Sequence, residues 1–193
     1  MVRRKVRRIP HRRRREKKTD YKLRLRLLKS GKPRLAIRRS SSNLTCQIVK
    51  YSQEGDRVMV SVNSTHLRKI GWKGHTGNVT AAYLTGLLCG EKAKKLKVNE
   101  AVLDIGLHTS TKGSRIYAVL KGVLDSGLKI PHSSDILPQE DRVSGKHIAD
   151  YAAKIKKEDQ AKYKKIFSSY LKNKIPPETL PAHFATIKKK IAK

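Results

Sequence analysis

The chain has 193 residues and a formal net charge of +31, with 46 Lys plus Arg against 15 Asp plus Glu. It has no run of about 18 apolar residues, and no apolar stretch follows the N-terminal arginines. The sequence therefore predicts neither a membrane span nor a secretory signal, and we expect an intracellular protein. Cys46 and Cys89 lie far apart and outside any metal-ligand spacing, which favours small buried side chains over a disulfide or a zinc site.

A charge this large on a small protein repels itself, so we expect a polyanion to neutralise it. Nucleic acid is the leading candidate partner. The alternatives are a basic surface that is merely solvated, or an anionic membrane. We see no long basic amphipathic helix with Trp or Phe on its apolar face, and the sequence therefore predicts no membrane partner.

Residues 1–18 are predicted to form a basic arm. Thirteen of the seventeen arginines precede residue 40, and arginine binds phosphate bidentately and stacks on bases, whereas lysine is a hydrated point charge. The arm has too few apolar residues to fold alone, so we predict that it is disordered when free and threads into structured RNA. A localisation signal is the alternative. Its candidate RNA-binding residues are Arg3, Arg4, Lys5, Arg7, Arg8, Arg12, Arg13, Arg14 and Arg15.

Residues 19–130 are predicted to form one α/β domain. A helix is expected at 20–29, where Asp20 can cap it, although the alternation of leucines also permits a strand. Three strand patterns follow at 33–40, 43–51 and 56–62 and predict an antiparallel meander. The expected inward positions are Leu35, Ile37, Leu44, Cys46, Ile48, Val58, Val60 and Val62.

The hydrophobic period then becomes helical. A helix is predicted at 78–96, with Ala82, Gly86 and Gly90 in one row that allows close approach to a sheet. The apolar segment 101–106 predicts a strand buried on both faces, and 114–127 predicts a second helix. This order predicts a mixed sheet covered by helices.

Residues 131–193 are predicted to form a helical C-terminal extension. Three helices are expected, at about 144–156, 158–171 and 181–191, and they would pack on the core or on a neighbour. The sequence alone assigns no role to these helices.

The loop at 65–78 combines features that contact with RNA would use. Gly71, Gly74 and Gly77 would let the backbone approach a phosphate, and the loop leads directly into a helix N-terminus. The alternative is a flexible connection with a half-buried Trp. The candidate RNA-binding residues here are Arg68, Lys69, Trp72, Lys73, His75, Thr76 and Asn78.

A second loop, at 106–115, lies between a predicted strand end and a helix N-terminus. Ligands of open α/β sheets favour that position. Its candidate RNA-binding residues are His108, Thr109, Lys112 and Arg115.

Asp104, on the predicted buried strand, also permits a metal-dependent nuclease of the ribonuclease H type. Such an enzyme needs several carboxylates around divalent metal, and the core offers few, among them Glu91, Glu100 and Asp125 besides Asp104. No nucleophile motif is present. We therefore predict a protein that is not an enzyme and has no metal, cofactor or small-molecule substrate.

Four sequence blocks occur in one order, and the first is TDYKLRLRLLKSGKPRLAIRRSSSNLTCQIVKY. The others are GWKGHTGNVTAAYLTGLLCGEKA, AVLDIGLHTSTKGSRIYAVLKGVLDSGLKIPHS and VSGKHIADYA. Together they resemble the universal family of large-subunit ribosomal proteins that bind 5S rRNA. The resemblance covers roughly residues 15–155, and the extension beyond residue 130 is similar to the archaeal and eukaryotic branch. A length of 193 residues is typical of an archaeal member.

The resemblance implies a three-layer ribonuclease-H-like α/β core without catalytic activity. Its implied partners are 5S rRNA, the large-subunit rRNA, a neighbouring 5S-binding ribosomal protein and other proteins of the central protuberance. A free RNA chaperone or assembly factor is the alternative. Besides the arm and the two loops, the resemblance implies RNA-binding residues at the first turn: Arg38, Arg39, Ser41, Ser42 and Asn43.

Overall fold

A computed structural model describes residues 9–192. The predicted arm residues Arg3, Arg4, Lys5, Arg7 and Arg8 lie outside this range. The described part of the arm contains one helical turn, α1 (Arg12–Arg15), which buries no residue. The helix expected at 20–29 is confirmed as α2 (Tyr21–Leu28).

Asp20 caps α2. Its Oδ1 accepts hydrogen bonds from the backbone N–H groups of Lys22 and Leu23, at 2.8 and 3.1 Å. These two donors have no partner inside the helix, so the carboxylate stabilises the first turn.

Four strands form a mixed sheet, as predicted. They are β1 (Arg34–Arg39), β2 (Leu44–Lys50), β3 (Arg57–Asn63) and β4 (Val102–Asp104), in the spatial order β3-β2-β1-β4. β2 pairs with β1 and with β3 in antiparallel fashion, whereas β4 runs parallel to β1. β4 is an edge strand, and its Val102 and Leu103 are partly exposed, so the prediction of a strand buried on both faces is wrong.

The prediction that Val58 of the sheet points inward is also wrong. Leu35, Ile37, Leu44, Cys46, Ile48, Val60 and Val62 are buried, but Val58 is 52% exposed. The register between β2 and β3 shifts at Ile48/Val49, where a bulge inserts one extra residue into the ladder. Beyond a bulge the alternation no longer places the same positions inward.

Helices α3 (Val79–Lys95) and α4 (Arg115–Asp125) pack together over one face of the sheet and confirm the helices predicted there. The close approach of Gly86 is to α4, not to the sheet. A Cβ built on Gly86 would lie 2.1 Å from the carbonyl oxygen of Val119, and one on Gly122 would lie 2.1 Å from that of Tyr83. Glycines on both helices therefore let the two backbones touch.

The opposite face of the sheet carries α2. Arg24 of α2 donates to both carboxylate oxygens of Asp56, at 2.8 and 2.9 Å, and Arg34 of β1 binds the same carboxylate. Helix α2, the sheet, and the pair α3 and α4 make three layers, in agreement with the predicted α/β class.

The C-terminal part contains five helices within the described residues. They are α5 (Glu140–Ser144), α6 (Lys146–Glu158), α7 (Gln160–Ile166), α8 (Ser168–Lys172) and α9 (Leu180–Ile191). The helix predicted at 158–171 is thus two helices. Leu180, Phe184 and Ile187 of α9 join the main core, whereas α6 and α7 contribute to a small separate cluster. Within residues 9–192, every helix is too short or too polar to span a membrane.

Candidate nucleic-acid interface

Three arginines between α2 and the sheet form ion pairs with carboxylates of the same domain. Arg34 Nη1 lies 2.9 Å from Asp104 Oδ2, and Arg34 Nη2 lies 2.6 Å from Asp56 Oδ2. Arg38 donates to Asp104 Oδ1 at 3.0 Å and to its backbone oxygen at 2.7 Å. We call Arg24, Arg34 and Arg38 the paired arginines.

The ion pairs of these arginines involve two residues that the sequence singled out, Asp104 and Arg38. The Asp104 carboxylate is buried and both its oxygens bind arginine, so it is not arranged to hold a catalytic metal. No cluster of three or more His, Cys, Asp or Glu side chains suited to a metal occurs between residues 9 and 192. Arg38, expected to bind RNA, commits much of its guanidinium to Asp104, and 45% of its side chain stays exposed. The hydrogen bond from Arg24, followed by the nearby Arg34, lowers the pKa of Asp56.

The three segments predicted to bind RNA meet at one end of the sheet. Arg115 Nη1 donates to the backbone oxygens of Gly77, at 2.8 Å, and Ser41, at 3.3 Å. His108 Nε2 lies 3.4 Å from the backbone nitrogen of Arg39, which donates to it. The turn 40–43, the loop 71–78 and the loop 106–114 therefore form one surface.

The loop 71–78 is also fixed to the turn by Thr76. Its hydroxyl lies 3.0 Å from the backbone oxygen of Ser42 and 2.8 Å from Asn43 Oδ1. Thr76 is only 3% exposed, and Asn78 uses its side chain to cap α3 by accepting from the backbone N–H of Ala81 at 2.7 Å. Thr76, Asn78 and Arg115 thus hold the surface together from inside.

Trp72 is a core residue, which corrects the prediction that it binds RNA. The side chain is 2% exposed, and its ring stacks on His183 of α9 with centroids 5.0 Å apart. Its Nε1 donates to the backbone oxygen of His75 at 3.3 Å. A ring covered in this way cannot stack on a base. It is also more deeply buried than the half-buried Trp of the alternative.

Two glycines of this loop serve packing within the protein and not an approach to phosphate. A Cβ on Gly74 would lie 2.7 Å from Trp72 Cζ2, and a Cβ on Gly77 would lie 2.7 Å from the backbone oxygen of Ser42. The loop is therefore a rigid platform whose glycines allow it to lie tightly against the Trp72 ring and the first turn.

The remaining candidates face solvent. Asn43 and His108 are half-buried, and burial, with Arg39 and Arg38 nearby, lowers the pKa of His108. The exposed candidates at this surface and in the arm are Arg39, Ser41, Ser42, Arg68, Lys69, Lys73, His75, Thr109, Lys112 and Arg12 to Arg15.

Five of the exposed cations at this end of the sheet, unlike the paired arginines, have no carboxylate partner among the described residues. No carboxylate of residues 9–192 lies within ion-pair distance of their side chains. Cations of this kind are free to neutralise phosphates. We call them the unpaired cations: Arg39, Arg68, Lys69, Lys73 and Lys112.

The sequence interpretation missed the contribution of α8. Asn173, directly after α8, donates through Nδ2 to the backbone oxygen of Lys73 at 2.9 Å, and the Tyr170 hydroxyl lies 3.5 Å from Asn78 Nδ2. Ser169 and Lys172 of α8, together with Arg68 and Lys73, line a groove beside the loop 71–78. These residues lie about a hundred positions from the loop, and no local pattern indicates that they return to it.

The chain is similar to known ribosomal proteins over almost its whole length. The model of a family described as ribosomal large subunit proteins 60S L5 and 50S L18 matches residues 5–101 and 91–133. The large ribosomal subunit protein uL18 of Methanococcus maripaludis is 55% identical over 184 residues, which cover 95% of this chain and 95% of the relative. The family model covers the turn 40–43 and the loops 71–78 and 106–114, and the relative covers these segments and α8.

A family of structural ribosomal proteins, and not of enzymes, accounts for the absence of a catalytic arrangement around Asp104 in the described residues. It also favours a ribosomal component over a free assembly factor. The chain therefore belongs to this family of ribosomal large-subunit proteins, as an archaeal-type structural component of the large subunit of the cytoplasmic ribosome.

Proposed function

We propose that this protein binds 5S rRNA and helps to anchor it to the large-subunit rRNA in the central protuberance. The observation that carries the proposal is the convergence of the turn 40–43, the loop 71–78 and the loop 106–114 into one surface with unpaired cations. RNA is recognised through phosphates, shape and splayed bases, and a rigid basic surface with exposed hydroxyl groups suits this mode.

The surface is organised before RNA arrives. Arg115, directly after the loop 106–114, donates to the turn 40–43 and to the loop 71–78, and Trp72 anchors the loop 71–78 against α9. Little ordering of the backbone is therefore required on binding. The N-terminus of α4 opens at the same place, and Ser114 makes no side-chain hydrogen bond to its first turn. Free N–H groups at a helix N-terminus favour a phosphate.

The arm would add a second contact. Residues 1–18 carry eight arginines and three lysines against one glutamate. Arg12 to Arg15 are exposed on α1, although Arg12 lies 3.8 Å from Glu16 and Arg13 donates to the Thr19 hydroxyl. We infer that the arm follows an RNA groove and that the folded core fixes the orientation. A neighbouring 5S-binding ribosomal protein and other proteins of the central protuberance would then contact the same RNA.

The proposal is tested by filter binding of the purified protein to 5S rRNA and to a duplex RNA of matched size, at 50 and 200 mM salt. We expect tighter binding to 5S rRNA at both salt concentrations. Affinity should fall with salt with a log-log slope of roughly 0.7 to 0.9 for each phosphate contacted. Equal binding of the two RNAs that disappears at the higher salt would overturn the proposal and leave a generic basic protein.

The same titration with a variant lacking residues 1–18 tests the arm. The variant should keep its circular dichroism spectrum and lose several units of salt slope, because many phosphate contacts are removed at once. Loss of folding would contradict the assignment of residues 1–18 as an appendage.

A further inference from the structure

We propose that α8 completes a groove that binds the phosphate backbone of RNA, so that the C-terminal extension is part of the RNA interface. This inference rests on the proposed function and assigns a role to the extension. The groove encloses about 430 Å³ between the turn 40–43, the loop 71–78 and α8. Arg68 and Lys73 line it from the core, and Lys172 lines it from α8.

The positive charge of the groove favours an anionic ligand. Its lining includes three cations, and among the described residues that form it there is no carboxylate. The hydroxyl groups of Ser42 and Ser169 and the amide of Asn173 also line the groove and can donate hydrogen bonds to phosphate oxygens.

A second cavity of similar size provides the contrast. The cavity beneath α2 also contains arginines, but Asp20, Asp56 and Asp104 line it as well, and the paired arginines bind two of these carboxylates. The paired arginines of this cavity are therefore neutralised by its own lining, whereas the described lining of the groove at α8 offers its cations no carboxylate. An anion gains most where the protein supplies no competing carboxylate.

The two walls of the groove are held at a fixed separation. Asn173 Nδ2 donates to the backbone oxygen of Lys73, and the backbone N–H of Lys73 donates to His183 Nε2 at 3.2 Å. The backbone of Lys73 is thus bound to Asn173, directly after α8, and to His183 in the first turn of α9, while its side chain stays exposed. A cation placed in advance binds a phosphate at a lower cost in conformational entropy.

The position of the groove favours RNA over an acidic protein segment. Ser42 and Asn43 belong both to the groove and to the turn of the proposed RNA surface, so the groove is a continuation of that surface. Arg68 and Lys73 also line a shallow neighbouring depression, which extends the basic track. An RNA strand crossing the turn would pass directly into the groove.

The experiment compares wild-type protein with Lys172→Gln and Lys165→Gln in the 5S rRNA titration at 50 and 200 mM salt. Lys165 is the matched control, because it is an exposed lysine on the adjacent helix α7 and lies outside the groove. Lys172→Gln should bind more weakly than wild type, and the log-log salt slope of its affinity should be smaller by about 0.7 to 0.9. The ratio of wild-type affinity to variant affinity should therefore fall roughly threefold from 50 to 200 mM salt. Lys165→Gln should follow wild type.

The outcomes separate this inference from the proposed function. Equal affinities and slopes for the two variants would overturn the groove, even if wild-type protein still prefers 5S rRNA. Wild-type protein that binds both RNAs equally would overturn the proposed function, and a selective loss in Lys172→Gln would then still mark the groove as a phosphate site. Thermal melting of both variants should match wild type, because both lysines are exposed.

Discussion

The paired arginines and the unpaired cations lie on the same small domain and differ in what surrounds them. Arg38 and Arg39 are consecutive residues of β1, so their side chains leave the strand on opposite faces. Arg38 meets the Asp104 carboxylate, whereas Arg39 reaches solvent without an ion pair among the described residues. One position along a strand therefore separates a structural arginine from a candidate RNA contact.

The comparison shows what a net charge of +31 does and does not say. It predicts a polyanionic partner, but it does not identify the cations that meet the partner. With so few acidic residues, the placement of each one matters, and Asp56 and Asp104 together neutralise arginines from α2 and β1. A cation is available for RNA where the fold has put no carboxylate.

Trp72 and Lys73 repeat this contrast, and the largest predicted effect follows from it. Trp72→Ala should lower the free energy of unfolding by about 3 to 5 kcal/mol, because it empties a buried site against His183. Lys73→Ala should leave stability nearly unchanged and weaken RNA binding. Urea denaturation and the 5S rRNA titration measure the two effects.

The opposite pattern would contradict the assignment of Trp72 to the core and of Lys73 to the RNA surface. If Trp72→Ala kept wild-type stability and lost affinity for RNA, the ring would be a binding group and the stacking on His183 would not persist in solution.

The next effect concerns the carboxylate that holds the paired arginines. Asp104→Asn should lower the free energy of unfolding by about 1.5 to 3 kcal/mol, since it removes a charged acceptor shared by Arg34 and Arg38. Glu54→Gln is the control, because its ion pair with Arg57 is highly exposed and should contribute little. Equal stability of the two variants in urea would show that the network is not a structural element.

Local periodicity predicted most of the fold. The three strands of the meander and the helices α3 and α4 lie within one or two residues of their expected positions, because alternation and helical spacing are properties of neighbouring residues. The prediction that Val58 points into the core was wrong, because a bulge changes the register and has no sequence signal of its own.

The candidate site was predicted as a set of segments and not as a set of contacts. Loop chemistry and the order of elements indicated that the turn and both loops would carry the site, and the structure brings them together. Burial of Trp72 could not be predicted, because the residue that covers it, His183, lies 111 positions away. The ion pair of Arg38 could not be predicted for a similar reason, since Asp104 comes from a strand 66 positions further on.

Variants of Arg38 and Arg39 test the division into paired and unpaired cations most directly. Their expected effects are smaller than those at Trp72 and Asp104. Arg39→Gln should leave stability unchanged and reduce the salt slope of 5S rRNA binding by about 0.7 to 0.9, as expected for one lost phosphate contact. Arg38→Gln should reduce stability and change the slope less, because its guanidinium already binds Asp104. If the two variants exchanged these effects, the division into paired and unpaired cations would be wrong.

The smallest expected effect is a pH dependence that originates at His183, where the core meets the basic groove. Burial, with Lys73 and Lys190 nearby, lowers the pKa of His183 in the folded protein below its ordinary value of 6.5. The unfolded chain therefore binds a proton more readily than the folded one, so the stability contributed by neutral His183 is present above pH 6.5 and decreases as the pH falls below it. His183→Phe keeps a ring against Trp72 but cannot take up a proton. The free energy of unfolding of His183→Phe should fall less between pH 7 and pH 5 than that of wild-type protein. Equal losses in the two proteins would mean that protonation of His183 does not weaken the contact between α9 and the loop 71–78.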